Sequence, residues 1–217
     1  MAADALWAPA QSTALSLQGP AGNLEALLET PDDASLKAMM LVCHPHPQFG
    51  GAMTNKVAHT LARAALNEGI AALRFNFRGV GRSEGGFDEG VGETDDAIAM
   101  YTWLREQQAA LPIVLAGFSF GAAVALRLAA RVEAHLLITI APPLRYFEQT
   151  AIPVPGCPWV VVHGDADDVV DCSETLQCLQ QANLKPTHHV LKGAGHFFHG
   201  QLPELRALVE PSLAAVT

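Results

Sequence analysis

The sequence predicts an α/β fold, with a mainly parallel sheet of about eight strands and helices on both faces. Short apolar segments of strand length alternate with segments of helical spacing along most of the 217 residues, and this alternation indicates βαβ units. Several strand segments, such as AMMLVC at 38–43, are apolar at every position, which is typical of strands covered on both faces. No repeat or Pro/Gly/Ser-rich linker divides the chain, so residues 1–217 are interpreted as one domain.

The individual elements follow from apolar spacing and turn signals. Segments 14–17 and 24–28 flank the turn sequence QGPAG and predict an N-terminal hairpin. Six further strands are expected at 38–43, 70–75, 113–116, 136–140, 159–163 and 187–191. Helices are predicted at 53–67, 91–108, 120–131, 173–182 and 203–215. Because ligands bind at the carboxyl ends of parallel strands, functional residues are expected in the loops after the strands.

Composition excludes several classes of partner. The formal net charge is −9 and no cluster of lysines and arginines is present, which argues against nucleic acid and anionic membrane surfaces. No apolar run reaches the roughly 18 residues that span a membrane, and the first residues do not resemble a secretory leader. We therefore expect a cytoplasmic protein, monomeric or weakly dimeric, that acts on a small molecule.

The four cysteines indicate no metal or disulfide framework. Cys43, Cys157, Cys172 and Cys178 form no C-x-x-C pair, and their spacing does not fit a zinc site. They are interpreted as reduced structural thiols. His44 and His46 could together bind a metal, but the intervening proline favours a role in the loop. The sequence therefore predicts neither a metal nor a cofactor.

A candidate nucleophile lies between a predicted strand and a predicted helix. The segment GFSFG at 117–121 has the form G-x-S-x-G, and this context is that of a nucleophile elbow. The helix that follows directs its N-terminal N–H groups and positive dipole end toward Ser119, which favours a developing oxyanion. The alternative is an ordinary strand-to-helix turn whose glycines only allow close packing.

A serine hydroxyl needs a base, and the base needs an orienting group. Of the nine histidines, His196 follows a small-residue turn at the carboxyl end of the last strand, with His199 as the alternative. The chain order serine, acid, histidine is the one that accompanies a nucleophile elbow. The intervening loop carries four carboxylates, namely Asp165, Asp167, Asp168 and Asp171.

Five segments together resemble the α/β-hydrolase superfamily, in particular its small, capless, dienelactone-hydrolase-like bacterial branch. They are CHPHPQFGGAMTNK (43–56), LRFNFRGVGRSEG (73–85), GFSFG (117–121), HGDADDVV (163–170) and GAGHFF (193–198). The resemblance implies Ser119 as nucleophile and His196 as base. It also implies Asp167 as the acid, with Asp168 next, because the family's acid lies three residues after the glycine of H-G-x-x-D.

The same resemblance implies an oxyanion hole and an open cleft. One donor is expected to be the Phe120 N–H, and the other lies in the loop after the third strand. Here the loop departs from the family's H-G pattern, and prolines 45 and 47 lack N–H groups. His46, Gln48 or Phe49 could donate, and His46 is favoured by position. The short segment 141–158 leaves no room for a cap, so we expect an open cleft lined by Phe49, Phe118, Phe120, Leu144, Tyr146 and Phe197.

These residues predict a serine hydrolase that cleaves small carboxylic esters or thioesters through an acyl-enzyme. A peptidase or a C–C hydrolase could use the same three side chains. A non-catalytic binding module could also keep this fold, although such a module has no need of all three side chains.

Overall fold

The computed structural model describes residues 6–32, 36–147 and 149–216. The strands in these residues are β1 (Ser12–Gly19), β2 (Gly22–Glu29), β3 (Ala38–Cys43), β4 (Ile70–Phe75), β5 (Ile113–Phe118), β6 (Leu136–Ile140), β7 (Trp159–Gly164) and β8 (Thr187–Leu191). The α-helices are α1 (Lys56–Asn67), α2 (Val91–Gln107), α3 (Phe120–Ala129), α4 (Cys172–Gln181) and α5 (Leu202–Ala214). Short 3₁₀ turns occur at Pro47–Phe49 and Leu144–Phe147.

The strands form one eight-stranded sheet in the order β1-β2-β4-β3-β5-β6-β7-β8. Strand β2 runs antiparallel to both of its neighbours, whereas β3 to β8 pair in parallel. The predicted mainly parallel sheet of about eight strands is therefore confirmed. The predicted hairpin is also present, and its turn closes where Gly19 pairs with Gly22.

Helices cover both faces of the sheet. Alternate side chains of β3 enter opposite layers: Met39 and Leu41 pack in the layer that includes α2 and α3, whereas Met40 and Val42 pack in the layer that includes α1 and α5. Successive residues of a strand point to opposite faces, so a strand covered twice must be apolar throughout. This is the physical reason for the unbroken apolar run at 38–43.

Two element boundaries differ from the predicted ones near the candidate site. Helix α1 begins at Lys56 rather than 53, because the Asn55 side chain accepts hydrogen bonds from the N–H groups of Val57 and Ala58 and caps the helix there. Strand β5 continues to Phe118, since its pairing with β6 extends to Ile140. Ser119 therefore follows directly on the strand end. No helix in the described ranges is long and apolar enough to cross a membrane.

Candidate active site

Ser119 occupies a strained turn between β5 and α3. Its φ is +54° and its ψ −123°, a conformation that non-glycine residues adopt rarely and only where the surroundings enforce it. The Ser119 N–H donates to the carbonyl of Ile140 at 2.8 Å. A Cβ on Gly121 would overlap the carbonyl oxygens of Cys43 and His44. The second glycine of the motif is therefore required because the turn passes directly against the end of β3.

Three loops bring the serine, a histidine and an aspartate into one hydrogen-bonded line. His196 Nε2 lies 3.0 Å from Ser119 Oγ, and His196 Nδ1 lies 2.8 Å from Asp167 Oδ2. Ser119 is 8% exposed, His196 is 4% exposed and the Asp167 side chain is fully buried. The His196 ring also lies against the rings of Phe118 and Phe197, with centroid distances of 4.9 and 5.1 Å, and these contacts limit its rotation.

The Asp167 carboxylate is held in its ionised form. Burial alone would raise the pKa of Asp167, but the imidazoles of His163 and His196 and two backbone N–H groups outweigh burial and hold that pKa well below its usual range. The N–H donors are those of Val170 at 2.8 Å and Val169 at 2.9 Å, both to Oδ1. With Oδ1 engaged in this way, Oδ2 is directed at His196.

The other acids of this loop have different surroundings. Asp165 accepts a hydrogen bond from the Gly193 N–H at 2.5 Å and so ties the two loops together. Asp171 caps α4, and Asp168 is exposed. His199, the alternative base, contacts the ring of Phe197 at 5.8 Å rather than an acid.

Two backbone N–H groups beside Ser119 make no hydrogen bond to any described residue, namely those of Phe120 and His46. The other two candidate donors in the loop after β3, the N–H groups of Gln48 and Phe49, already make hydrogen bonds. The Gln48 N–H donates to His46 Nδ1 at 3.2 Å, and the Phe49 N–H donates to the His46 carbonyl at 3.1 Å. Both bonds form because the 3₁₀ turn at Pro47–Phe49 folds back on His46, so the His46 N–H alone among these three remains available.

A cavity of about 370 Å³ opens beside Ser119 and His196. Its lining residues are Pro45, His46, Phe49, Gly50, Gly51, Asn55, Ser119, Val169, His196 and Phe197. Three apolar side chains form its accessible wall: Phe49 is 86% exposed, Val169 51% and Phe197 46%. The predicted lining residues Phe49 and Phe197 thus lie in this cleft.

The other four predicted lining residues do not line this cavity, and the predicted wall is corrected in this respect. Phe118 and Phe120 are buried, and their rings contact those of His196 and His46, respectively. Leu144 lines a separate cavity of about 500 Å³ beside α4, and Tyr146 is exposed on the same 3₁₀ turn. That turn follows β6 and folds toward α4, away from the loop after β3. Val169 and Asn55 were not anticipated, because no local pattern in the sequence marks them.

His44, the first residue after β3, has a structural role. His44 Nδ1 lies 2.6 Å from the Pro45 carbonyl, and Nε2 lies 3.0 Å from the Phe77 N–H. Since a carbonyl only accepts and an N–H only donates, Nδ1 carries the proton and Nε2 accepts. Burial lowers the pKa of His44 to about 4. Nδ1 therefore bonds within the loop after β3, whereas Nε2 joins that loop to the loop after β4.

Comparisons with known proteins agree with this architecture. The family described as serine aminopeptidase, S33 (Hydrolase_4), matches residues 34–157. The uncharacterized protein RP471 of Rickettsia prowazekii is 32% identical over 211 residues, covering 91% of this chain and 87% of that protein. XC6422 from Xanthomonas campestris, an α/β serine hydrolase without lid, has a TM-score of 0.90 at 40% identity, covering 96% of both chains.

A second solved structure is similarly close. An α/β serine hydrolase homologue from Coxiella burnetii has a TM-score of 0.87 at 39% identity, covering 95% of this chain and 99% of that chain. Both solved relatives keep the fold over nearly their whole length. The family match covers more than half of the chain and includes the elbow that carries Ser119. The chain therefore belongs to the serine aminopeptidase S33 family, and it is a hydrolase with the lidless α/β serine hydrolase fold.

Proposed function

We propose that this chain is a carboxylesterase-like serine hydrolase that cleaves small carboxylic esters or thioesters through an acyl-enzyme. Ser119 is the nucleophile, His196 the general base and Asp167 the group that orients the base. The observation that carries the proposal is the hydrogen-bonded line from Ser119 Oγ through His196 to Asp167, with links of 3.0 and 2.8 Å, at the wall of an accessible cleft.

The first step is proton transfer from Ser119 to His196. The ionised Asp167 carboxylate can only accept, so His196 Nδ1 must carry a proton and Nε2 keeps its lone pair toward Ser119. When Ser119 attacks the acyl carbonyl, Nε2 takes the hydroxyl proton and Asp167 stabilises the imidazolium. The proton then passes to the leaving alkoxide or thiolate, and the acyl group remains on Ser119.

The negative charge on the tetrahedral oxygen is stabilised by backbone donors. The N–H groups of Phe120 and His46 have no other partner among the described residues, and Phe120 begins α3, where the helix dipole favours negative charge. A preorganised donor of this kind contributes roughly 3 kcal/mol to the transition state. Water attacks the acyl-enzyme in the second half of the reaction, again with His196 as base, and no cofactor is required.

The lining of the cleft favours an ester over an aminopeptidase substrate. Phe49, Val169 and Phe197 offer an apolar wall to an acyl or alkyl group. An aminopeptidase must bind a cationic α-amino group, and a carboxylate is the usual partner for such a cation. None of the described residues that line this cavity is acidic. The cleft is also open, so we expect modest selectivity for short acyl chains.

The test is labelling of the purified chain with a fluorophosphonate probe. The wild type should be labelled at Ser119, as mapped by peptide mass spectrometry, and Ser119→Ala should not be labelled. Ser16→Ala, which changes an exposed serine on β1, is the matched control and should label like the wild type. A well-folded wild type that takes up no probe would favour the binding-module alternative.

A substrate panel then separates the rival hydrolases. Short-chain p-nitrophenyl esters and acyl thioesters should be hydrolysed, with turnover lost in Ser119→Ala. Aminoacyl p-nitroanilides should be cleaved far more slowly, because the lining described above holds no acidic partner for the ammonium group. Faster cleavage of the anilides than of the esters would reassign the chain as a peptidase.

The compartment and the partners are part of the same proposal. We propose a cytoplasmic enzyme, monomeric or weakly dimeric, with a small-molecule substrate and without nucleic acid or membrane partners. Support comes from the net charge of −9 and from Cys43, Cys157 and Cys172, which are free thiols. Reduced thiols are typical of the cytosol.

A further inference from the structure

Three side chains with metal-binding atoms meet at the end of β7, outside the cleft. The ligand atoms of His163, Cys172 and His188 all lie within 4.8 Å of one another. His188 is in β8 and pairs with Val161 of β7. Since side chains two positions apart share a face of a strand, His163 projects on the same side as His188. Cys172 begins α4, which packs over this side of the sheet through Leu179.

Two of these atoms are buried without a partner. Neither His163 Nδ1 nor His188 Nε2 makes a hydrogen bond within the described part of the chain. The other nitrogen of His163, Nε2, lies 2.9 Å from the Val170 carbonyl. A carbonyl only accepts, so Nε2 carries the proton and Nδ1 presents a lone pair.

Such unpartnered atoms need an explanation. An unsatisfied buried polar group costs about 1–3 kcal/mol, and buried polar atoms in native proteins are nearly always paired. Here the two atoms belong to histidines whose ligand atoms lie within 4.8 Å of each other and of the Cys172 thiol. The simplest arrangement that satisfies all three groups is one shared partner between them.

We propose that His163 Nδ1, His188 Nε2 and Cys172 Sγ bind a divalent transition-metal ion of the Zn²⁺ type, with solvent completing a tetrahedral site. Imidazole nitrogen and thiolate sulfur are the ligands that Zn²⁺ prefers, and three protein ligands with one open position is a known arrangement. Bond lengths of about 2.0 Å to nitrogen and 2.3 Å to sulfur separate tetrahedral ligands by roughly 3.5 Å. Small side-chain rotations would therefore close the observed cluster around an ion. Cys172 binds as the thiolate and releases its proton to solvent.

The charge around the cluster favours a cation. The carboxylates of Asp171, Asp165 and Asp167 lie close enough to Cys172 to place negative charge around the cluster. The same negative charge attracts a metal ion, which neutralises part of it on binding. Deprotonation of Cys172 opposes metal binding because it costs free energy. The bond between the ion and the sulfur offsets this cost, since a thiol that coordinates a metal ion is deprotonated.

The proposed metal site would be connected to the hydrogen-bonded side chains of Ser119, His196 and Asp167, although it lies outside their cleft. His163 Nε2 lies 3.5 Å from Asp167 Oδ2, so His163 would stand between the metal and the carboxylate that faces His196. Carboxylate–histidine–metal arrangements of this kind are common around protein-bound zinc. None of the three ligands lines the cavity beside Ser119.

The experiment measures metal binding directly and does not depend on catalysis. Metal-stripped full-length chain, kept reduced, is titrated with Zn²⁺ by calorimetry and with Co²⁺ by absorption spectroscopy. The variants Cys172→Ser and His188→Gln each remove one ligand. Cys157→Ser and His189→Gln are matched controls, because Cys157 lies outside the cluster and His189 points to the opposite face of β8. Circular dichroism establishes that each variant is folded.

We expect one Zn²⁺ per wild-type chain, with tenfold or greater weakening in both ligand variants and unchanged affinity in both controls. Co²⁺ should give a thiolate-to-metal absorption band that disappears in Cys172→Ser. Absence of stoichiometric binding would overturn the proposal and leave a bridging water as the shared partner. Binding that survives in either folded ligand variant would also overturn it, because the ion would then occupy another site.

Discussion

Replacing Asp167 by asparagine tests the role assigned to the acid. Asparagine keeps the side-chain volume, and its carbonyl can still accept from the N–H groups of Val169 and Val170. Its amide nitrogen, however, would donate to His196 Nδ1, so the imidazole proton moves to Nε2. In that tautomer Nε2 points a proton, rather than a lone pair, at Ser119 Oγ.

The magnitude follows from the charge that is lost. The carboxylate oxygen lies 2.8 Å from His196 Nδ1, which places the charge centres of the carboxylate and the imidazolium about 4 Å apart. At an effective dielectric constant of about 20, their attraction is about 4 kcal/mol, and this corresponds to a factor of about 10³ in rate. The wrong tautomer adds to this loss, so we expect kcat for ester hydrolysis to fall by about 10³ to 10⁴.

The assay compares Asp167→Asn with Asp168→Asn on a short-chain p-nitrophenyl ester and, independently, by the rate of fluorophosphonate labelling. Asp168 is adjacent and exposed, and it is the alternative acid, so it serves as the matched control. Asp168→Asn should retain activity within about twofold of the wild type, since exposed charges interact weakly. Equal losses in the two variants, or a loss below tenfold in a folded Asp167→Asn, would refute the reasoning.

Three further predictions concern neighbouring residues. His44 has a folded pKa of about 4 against about 6.5 when unfolded, so its stabilising contribution is present above pH 6.5 and is lost as pH falls toward 4. The free energy of unfolding of the wild type, measured with urea, should fall by up to about 3 kcal/mol over this interval. An equally steep fall in His44→Gln would show that His44 is not the source of the pH dependence. Gly121→Ala should lower the free energy of unfolding, measured by thermal denaturation, by about 2 kcal/mol or more, since the added Cβ overlaps the end of β3. Gly86→Ala, whose added Cβ would lie in open space, should leave the free energy of unfolding nearly unchanged. Phe49→Ala should raise KM about fivefold for apolar esters, because about 1 kcal/mol of contact with the substrate is lost. Val154→Ala, at an exposed residue outside the cleft lining, should leave KM unchanged. An equal rise of KM in both variants would show that Phe49 does not contact the substrate.

Near the candidate site, local sequence signals predict the turn at Ser119 correctly but not the start of α1. The G-x-S-x-G segment predicted a sharp turn at Ser119, and its φ of +54° agrees. A strained turn of this kind is encoded locally, by glycines that permit close backbone approach. Helix α1 begins three residues later than the spacing predicts, because the Asn55 side chain caps the helix within a run of helical spacing.

The loop acids illustrate what local pattern cannot decide. Four carboxylates lie within seven residues, and from spacing alone each is a candidate; the family resemblance singled out Asp167. Only the folded loop directs Asp167 toward His196, while Asp165 bonds to Gly193 and Asp171 caps α4. The same holds for the loop after β3, where the 3₁₀ turn engages two of the three candidate donors and leaves the His46 N–H available.

The sequence by itself determined the alternation of strands and helices and the sharp turn at Ser119, because periodicity, turn chemistry and short motifs act over a few neighbouring residues. The tertiary structure alone decided the lining of the cleft and the meeting of His163, Cys172 and His188. Those contacts join separate strands, loops and a helix. Their distances depend on the register between β7 and β8 and on how α4 packs over the sheet, and no short stretch of sequence records either.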